Sequence, residues 1–173
     1  LKSFEMHIRR LTPEDASVYW DLRLRGFREH PSAFTSSYEE EVKRPLTYAQ
    51  ARLGSDSSAT FWGAWEGNTL MGLVGLDRES RTKNRHKAVV IGMFVAPEFA
   101  GRGVGRALLA ALLESARTSD LELLVLTVTQ GNLGAEKLYL SMGFTSFGIE
   151  PGAIKVENQR FNKNHMFFPL STP

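Results

Sequence analysis

The sequence predicts a single α/β domain in which a mixed sheet carries helices on both faces. Three observations predict it. The chain has 173 residues, 42% hydrophobic and 23% charged, which suffices for one buried core and no second domain. Short apolar runs and helical patterns follow one another as strand, hairpin, strand, then helix–strand–helix. Finally, an apolar run at 88–95 leads through a glycine-spaced loop into a strongly amphipathic helix.

Taken in order, residues 1–5 read as a lead-in to a domain over 6–173, and 6–11 carries a weak strand alternation. Thr12-Pro13-Glu14-Asp15 opens a helix with a hydroxyl cap, a proline at its first position and acids in its first turn. That helix should run to about Glu29 and stop before His30-Pro31. A second helical region carries Glu39, Glu40 and Glu41, breaks near Pro45 and ends by Gly54. Its acids read as a solvated face, or else as a rim for a cationic amine. The runs 60–65 and 70–76 flank Glu66-Gly67-Asn68, a hairpin signal. Trp20, Trp62 and Trp65 read as core. After 88–95, the run 121–128 is nearly all apolar, as a strand buried on both faces would be. Asn132 caps a short helix whose inward face is Ala135, Leu138, Tyr139 and Met142, and Gly143-Phe144 ends it. The tail, 143–170, reads as further strands with Pro151-Gly152 as their turn.

Composition removes several function classes. No cysteine means no disulfide framework, no thiolate metal site and no cysteine nucleophile; it also fits a reducing, cytoplasmic setting. No apolar run approaches the roughly 20 residues of a membrane span, and no signal-peptide pattern opens the chain. Twenty-one basic against 19 acidic residues is too small an excess for nucleic acid. The basic cluster 81–87 has no interleaved aromatics, so it reads as a solvated loop. His7, His30 and His165 lack metal-ligand spacing, and no metal is expected.

The chemistry concentrates in VAPEFAGRGVGRALL, residues 95–109. Gly101, Gly103 and Gly105 let backbone N–H groups converge at a helix N-terminus, while Val104 starts the apolar stripe. Arg102 and Arg106 add positive charge, so the loop suits a phosphate. It is not a Walker loop, because Gly105-Arg106-Ala107 lacks the terminal Gly-Lys-Ser/Thr. Nor is it a dinucleotide fingerprint: Arg106 holds the last glycine position, and Thr127 and Thr129 stand where an acid is needed.

This segment and the N-x-x-A-x-x-L-Y run from Asn132 to Tyr139, with Gly143-Phe144 behind it, resemble the GCN5-related N-acetyltransferase (GNAT) superfamily. The resemblance implies a largely antiparallel sheet with a splayed parallel central pair. Acetyl-coenzyme A would lie between the strands at 88–95 and 121–128, its pantetheine arm paired with backbone at Phe94 and Val95. The pyrophosphate would sit over Gly101, Arg102, Gly103, Val104, Gly105 and Arg106. Asn132, with Ala135 beside it, would meet the pantetheine or thioester end. Tyr139 would protonate the departing thiolate. The implied reaction is direct transfer of acetyl to a primary amine, on a small molecule or peptide, in a ternary complex. Homodimers are common in that family. The alternative is an acyl-coenzyme A-binding regulatory module with little catalysis. Two departures feed that alternative: Ala100 replaces the usual Arg or Gln of the phosphate loop, and the run 88–95 contains no general base. Asp77, Glu79, His86 or a water chain would have to take the proton.

Overall fold

The computed structural model describes residues 5–170, so most of the lead-in, 1–4, and the last three residues lie outside the described residues. One seven-stranded sheet runs in the order β1-β2-β3-β4-β5-β7-β6, and every neighbouring pair is antiparallel except β4 with β5. The strands are β1 (His7–Arg10), β2 (Ala59–Glu66), β3 (Thr69–Arg78), β4 (Lys87–Val95), β5 (Leu123–Thr129), β6 (Thr145–Val156) and β7 (Gln159–Pro169). Helices α1 (Ala16–Glu29) and α3 (Leu46–Arg52) cover one face, and α4 (Val104–Arg117) covers the other. Short α2 (Tyr38–Glu41) precedes α3, and α5 (Leu133–Ser141) joins β5 to β6.

Each helix follows its apolar spacing. In α1, Ala16, Tyr19, Trp20 and Phe27 are buried at i, i+3, i+4 and i+11, and Pro31 stops the helix at His30. In α4, Leu108, Leu109, Leu112 and Leu113 are essentially inaccessible. Burial of each such leucine is worth about 1.5–3 kcal/mol, which anchors the helix that follows the glycine loop. Trp20, Trp62 and Trp65 are core residues as expected.

Three local readings change. The helix at Thr12 opens as a 3-10 turn, Pro13–Asp15, with Thr12 and Asp15 forming a capping box and the Thr12 hydroxyl donating to Glu14 (2.7 Å). In that box Asp15 accepts from the Thr12 N–H at 2.8 Å, and it also accepts from both terminal guanidinium nitrogens of Arg9. Glu41 is buried, not solvated, and its carboxylate accepts from Arg44 Nε at 2.9 Å. Pro151-Gly152 is not a chain reversal. It is a bulge inside β6, between Glu150↔Lys163 and Ile154↔Phe161, and the reversal falls at Glu157, whose φ is 54°. A proline survives there because β6 is the sheet's edge and needs no ladder donor on its outer side.

Candidate active site

The parallel pair β4–β5 holds together only at Lys87↔Leu123, Ala88↔Leu124 and Val89↔Val125. Beyond Val89 the two strands part. A bulge in β4 lies at the parting. Leu73 faces Phe94 and Gly75 faces Ile91, so β4 carries one extra residue, and Gly92 stands there with φ 65°. Past the bulge, Met93, Phe94 and Val95 of β4 line a cleft of about 630 Å³.

This cleft gathers most of the sequence-predicted cofactor residues. Phe94 and Val95 form one wall, and Gly101, Gly103, Val104, Gly105 and Arg106 form its end. Asn132 and Ala135 form the wall opposite. Gly101 and Gly103 both take the left-handed conformation, φ 76° and 75°, and a Cβ on either would meet nothing within 4 Å. Their backbone therefore borders open space at the N-terminus of α4, where N–H groups of the first turn have no helical partner. Gly105 serves a different need. A Cβ there would come within 3.1 Å of Leu138 Cδ2, so the missing side chain lets α4 approach α5.

The two arginines part company. Arg106 stays at the cleft, its guanidinium donating to Ser141 Oγ at 2.8 Å and meeting Met142 Sδ at 3.1 Å. Arg102 is not on the cleft wall; its Nη1 donates to Glu66 at 3.2 Å, and both side chains are 44% exposed. Asn132 does cap α5, although its Oδ1 accepts from Ala135 N–H at a long 3.5 Å.

A second cavity of about 360 Å³ adjoins the first, and Phe34, Met93, Asn132 and Ala135 line both. Tyr139 lines this second cavity. Its ring is buried against Phe144, centroids 5.8 Å apart, and its hydroxyl has no hydrogen-bond partner among the described residues. Burial pushes its pKa well above the phenolic range, so the group stays protonated. Of the three side chains considered as a base, only Asp77 reaches the cavity, where it accepts from Ser58 Oγ at 2.6 Å. Glu79 and His86 lie on the β3–β4 connection outside both cavities.

Sequence reasoning missed the Gly92 bulge and three cations of the second cavity: Arg23, Arg52 and Lys163. An isolated glycine inside an otherwise apolar strand was the available signal for the bulge. Lys163 is buried and its Nζ donates to Thr129 Oγ1 at 3.3 Å; desolvation lowers its pKa, with Glu150 opposing.

Comparison with known proteins decides the family. The model of the acetyltransferase (GNAT) family matches residues 24–144, more than half of the chain and the whole of the first cleft. The chain belongs to the GNAT family. An N-acetyltransferase of Methanocaldococcus jannaschii is 26% identical over 151 residues, 86% of this chain and 65% of its own length. The N-alpha-acetyltransferase RimI of Mycobacterium tuberculosis is 40% identical over 88 residues, 50% of this chain and 52% of its own. The chain thus spans about half to two thirds of the length of these curated relatives. In fold, it resembles a Salmonella typhimurium protein solved with its cofactor acetyl-CoA, with a TM-score of 0.81 at 20% identity over 98% of this chain and 96% of the other. The seven-stranded mixed sheet with its single parallel junction is the GNAT fold. Among the described residues, no helix is long and apolar enough to cross a membrane, and no three His, Asp or Glu side chains are grouped to hold a metal ion.

Proposed function

We propose that this GNAT domain transfers an acetyl group from acetyl-CoA to a primary amine by direct attack. The observation that carries the reading is the parting of β4 from β5 into a cleft that ends on the left-handed Gly101 and Gly103 at the α4 N-terminus. These residues fit the donor. The partial positive charge of the helix end, about half an elementary charge, and the side-chain-free loop suit a pyrophosphate. The unpaired β4 edge suits an amide-bearing arm laid down like an added strand.

Acetyl-CoA supplies the acetyl group as a thioester. In the transfer a C–N bond forms, the C–S bond breaks, the nitrogen loses a proton and the sulfur gains one. No cysteine exists to carry the acetyl group, which favours attack by the amine itself. Tyr139 stands in the acceptor cavity next to the junction with the cleft. Its raised pKa lies above the roughly 8.5 of an ordinary thiol. The phenol therefore acts as a hydrogen-bond donor to the sulfur and passes on a proton only as it takes one back. That makes it a relay between nitrogen and thiolate rather than a lone acid. Asp77 lines the same cavity, which supports it as the group that would receive a proton from the acceptor side.

Calorimetry with acetyl-CoA followed by thiol release across an amine panel tests the reading. Binding, and turnover with at least one amine, is the expected result. Failure to bind acetyl-CoA or CoA overturns it, and binding with no turnover across the panel supports the regulatory module.

A further inference from the structure

The acceptor cavity holds a buried guanidinium that makes no ion pair among the described residues. Arg23 lies on α1 and reaches the cavity beside the β4 bulge. Its Nε and Nη1 are sealed from solvent, and neither has a hydrogen-bond partner among the described residues. The rings of Phe27, Phe61 and Tyr19 stand 5.2, 5.4 and 5.9 Å from the guanidinium carbon. Those rings hold the faces of the fork but cannot accept its in-plane N–H bonds. Gly92 completes the socket: a Cβ at that position would collide with Arg23 Nη1.

The rest of the cavity has the same sign. Arg52 and Lys163 line it, against one carboxylate, Asp77, already engaged by Ser58. An arginine cannot discharge itself by losing a proton, and an unpaired buried charge is strongly destabilising. Arg23 lines the acceptor cavity beside Gly92, one residue from Met93 at the junction with the cleft, so an unpaired guanidinium there has the chemistry and the place of a ligand anchor. A planar guanidinium with free N–H bonds matches a carboxylate in a two-point grip.

We propose that the acceptor amine carries a carboxylate, an amino acid or close analogue, and that Arg23 binds this carboxylate with Arg52 and Lys163 adding charge. This rests on the acetyl-transfer reading above. It disfavours polyamines, whose second cation would face Arg23, and so also the acidic-rim reading of Glu39 to Glu41. A free amino acid fits a cavity of about 360 Å³ that meets the cleft at Met93 and Asn132.

The test compares each of the twenty amino acids with its amide and its decarboxylated amine as acceptors for acetyl-CoA, read by thiol release. For at least one amino acid, kcat/KM should exceed that of its amide and its amine by roughly ten- to hundredfold. Arg23→Gln should remove that margin through KM for the acid, lowering kcat/KM for the acid at least about tenfold more than for the amide, with Kd for acetyl-CoA held. Arg23→Lys, which keeps the charge but not the fork, should fall between. If the amides and amines react as well as the acids, or if no amino acid is acetylated, the proposal is overturned. It is equally overturned if Arg23→Gln slows acid and amide alike while still melting cooperatively. Should both variants fail to fold, the wild-type comparison of acid with amide decides alone. Calorimetry with acetyl-CoA keeps the two ideas apart: loss of donor binding sinks the acetyl-transfer reading, whereas intact donor binding without carboxylate preference sinks only this one.

Discussion

Gly103→Ala separates backbone strain from ligand contact. At φ 75°, an alanine occupies the left-handed region at a cost of about 1–2 kcal/mol. Apart from its chain neighbours, no described residue lies within 4 Å of the added methyl, so no steric term joins the strain. For a domain of this size each kcal/mol lowers Tm by about 2–4 °C, giving an expected loss of about 2–8 °C. Gly67 is the matched control: it has φ 56°, nothing within 4 Å of its Cβ, and a place in the β2–β3 turn away from the cleft. Gly67→Ala should cost similar stability and leave donor binding untouched. At position 103 the methyl enters the space where a pyrophosphate would meet the α4 N–H groups. Losing a charge-assisted hydrogen bond of about 1.5–3 kcal/mol weakens acetyl-CoA roughly ten- to hundredfold. The assay is Kd for acetyl-CoA by calorimetry, with kcat/KM for S-acetylpantetheine, which lacks the pyrophosphate, as the second readout. Acetyl-CoA should suffer and acetylpantetheine should not. If both donors lose equally, or if Gly103→Ala binds acetyl-CoA as well as Gly67→Ala does, the cradle assignment is wrong.

Other perturbations test neighbouring steps. Tyr139→Phe keeps the ring on Phe144 and removes a hydroxyl without a partner, so Tm should hold while kcat falls about a hundredfold and Kd for acetyl-CoA does not move; an unchanged kcat would remove Tyr139 from the reaction. Gly105→Val inserts atoms where even a Cβ meets Leu138 at 3.1 Å, so it should lower Tm by several degrees, and pairing it with Leu138→Ala should restore much of the loss. Glu98, hydrogen-bonded by Arg25 at 2.7 Å, has its pKa lowered from 4.5 to about 2, chiefly by that bond. A depressed carboxyl contributes stability that is complete above its unfolded value and is lost as pH falls through the folded one. Melting curves of Glu98→Gln should therefore depend less on pH between 4.5 and about 2 than the wild type, and identical slopes would deny the ion pair a role.

What could be read from the sequence was what local chemistry fixes. The end of α1 follows from His30-Pro31, the hairpin from Glu66-Gly67-Asn68, and the glycine turn into α4 from three spaced glycines before an apolar stripe. Pro151-Gly152 misled because the dipeptide states only that the chain bends; whether it reverses or bulges depends on the partner strand, and β7 supplies a register across the bend. Arg102 was read as loop charge because its partner, Glu66, comes from a hairpin 36 residues earlier and becomes a neighbour only once the sheet is built. Yet that exposed pair holds its arginine weakly, and a polyanion at the loop would outcompete a single carboxylate.

The acceptor side was hidden for a deeper reason. Arg23, Arg25 and Arg28 look alike along α1, three cations in six positions. Folding gives each a different fate. Arg25 grips Glu98, Arg28 lies over Tyr38 at 5.6 Å, and Arg23 turns into the sheet with its Nε and Nη1 unpaired among the described residues. No local rule distinguishes them, because the distinction is made by Gly92 on a strand nearly seventy residues later. Gly92 thus serves two features: its left-handed bulge lies where β4 parts from β5 at the proposed donor cleft, and its missing Cβ makes room for the guanidinium that would face the acceptor. Gly92→Ala should therefore damage both at once, raising KM for acetyl-CoA and for the carboxylate-bearing acceptor together. Arg23→Gln should touch the acceptor alone. A Gly92→Ala variant that shifted only one of the two constants would show that the bulge does not couple the sites.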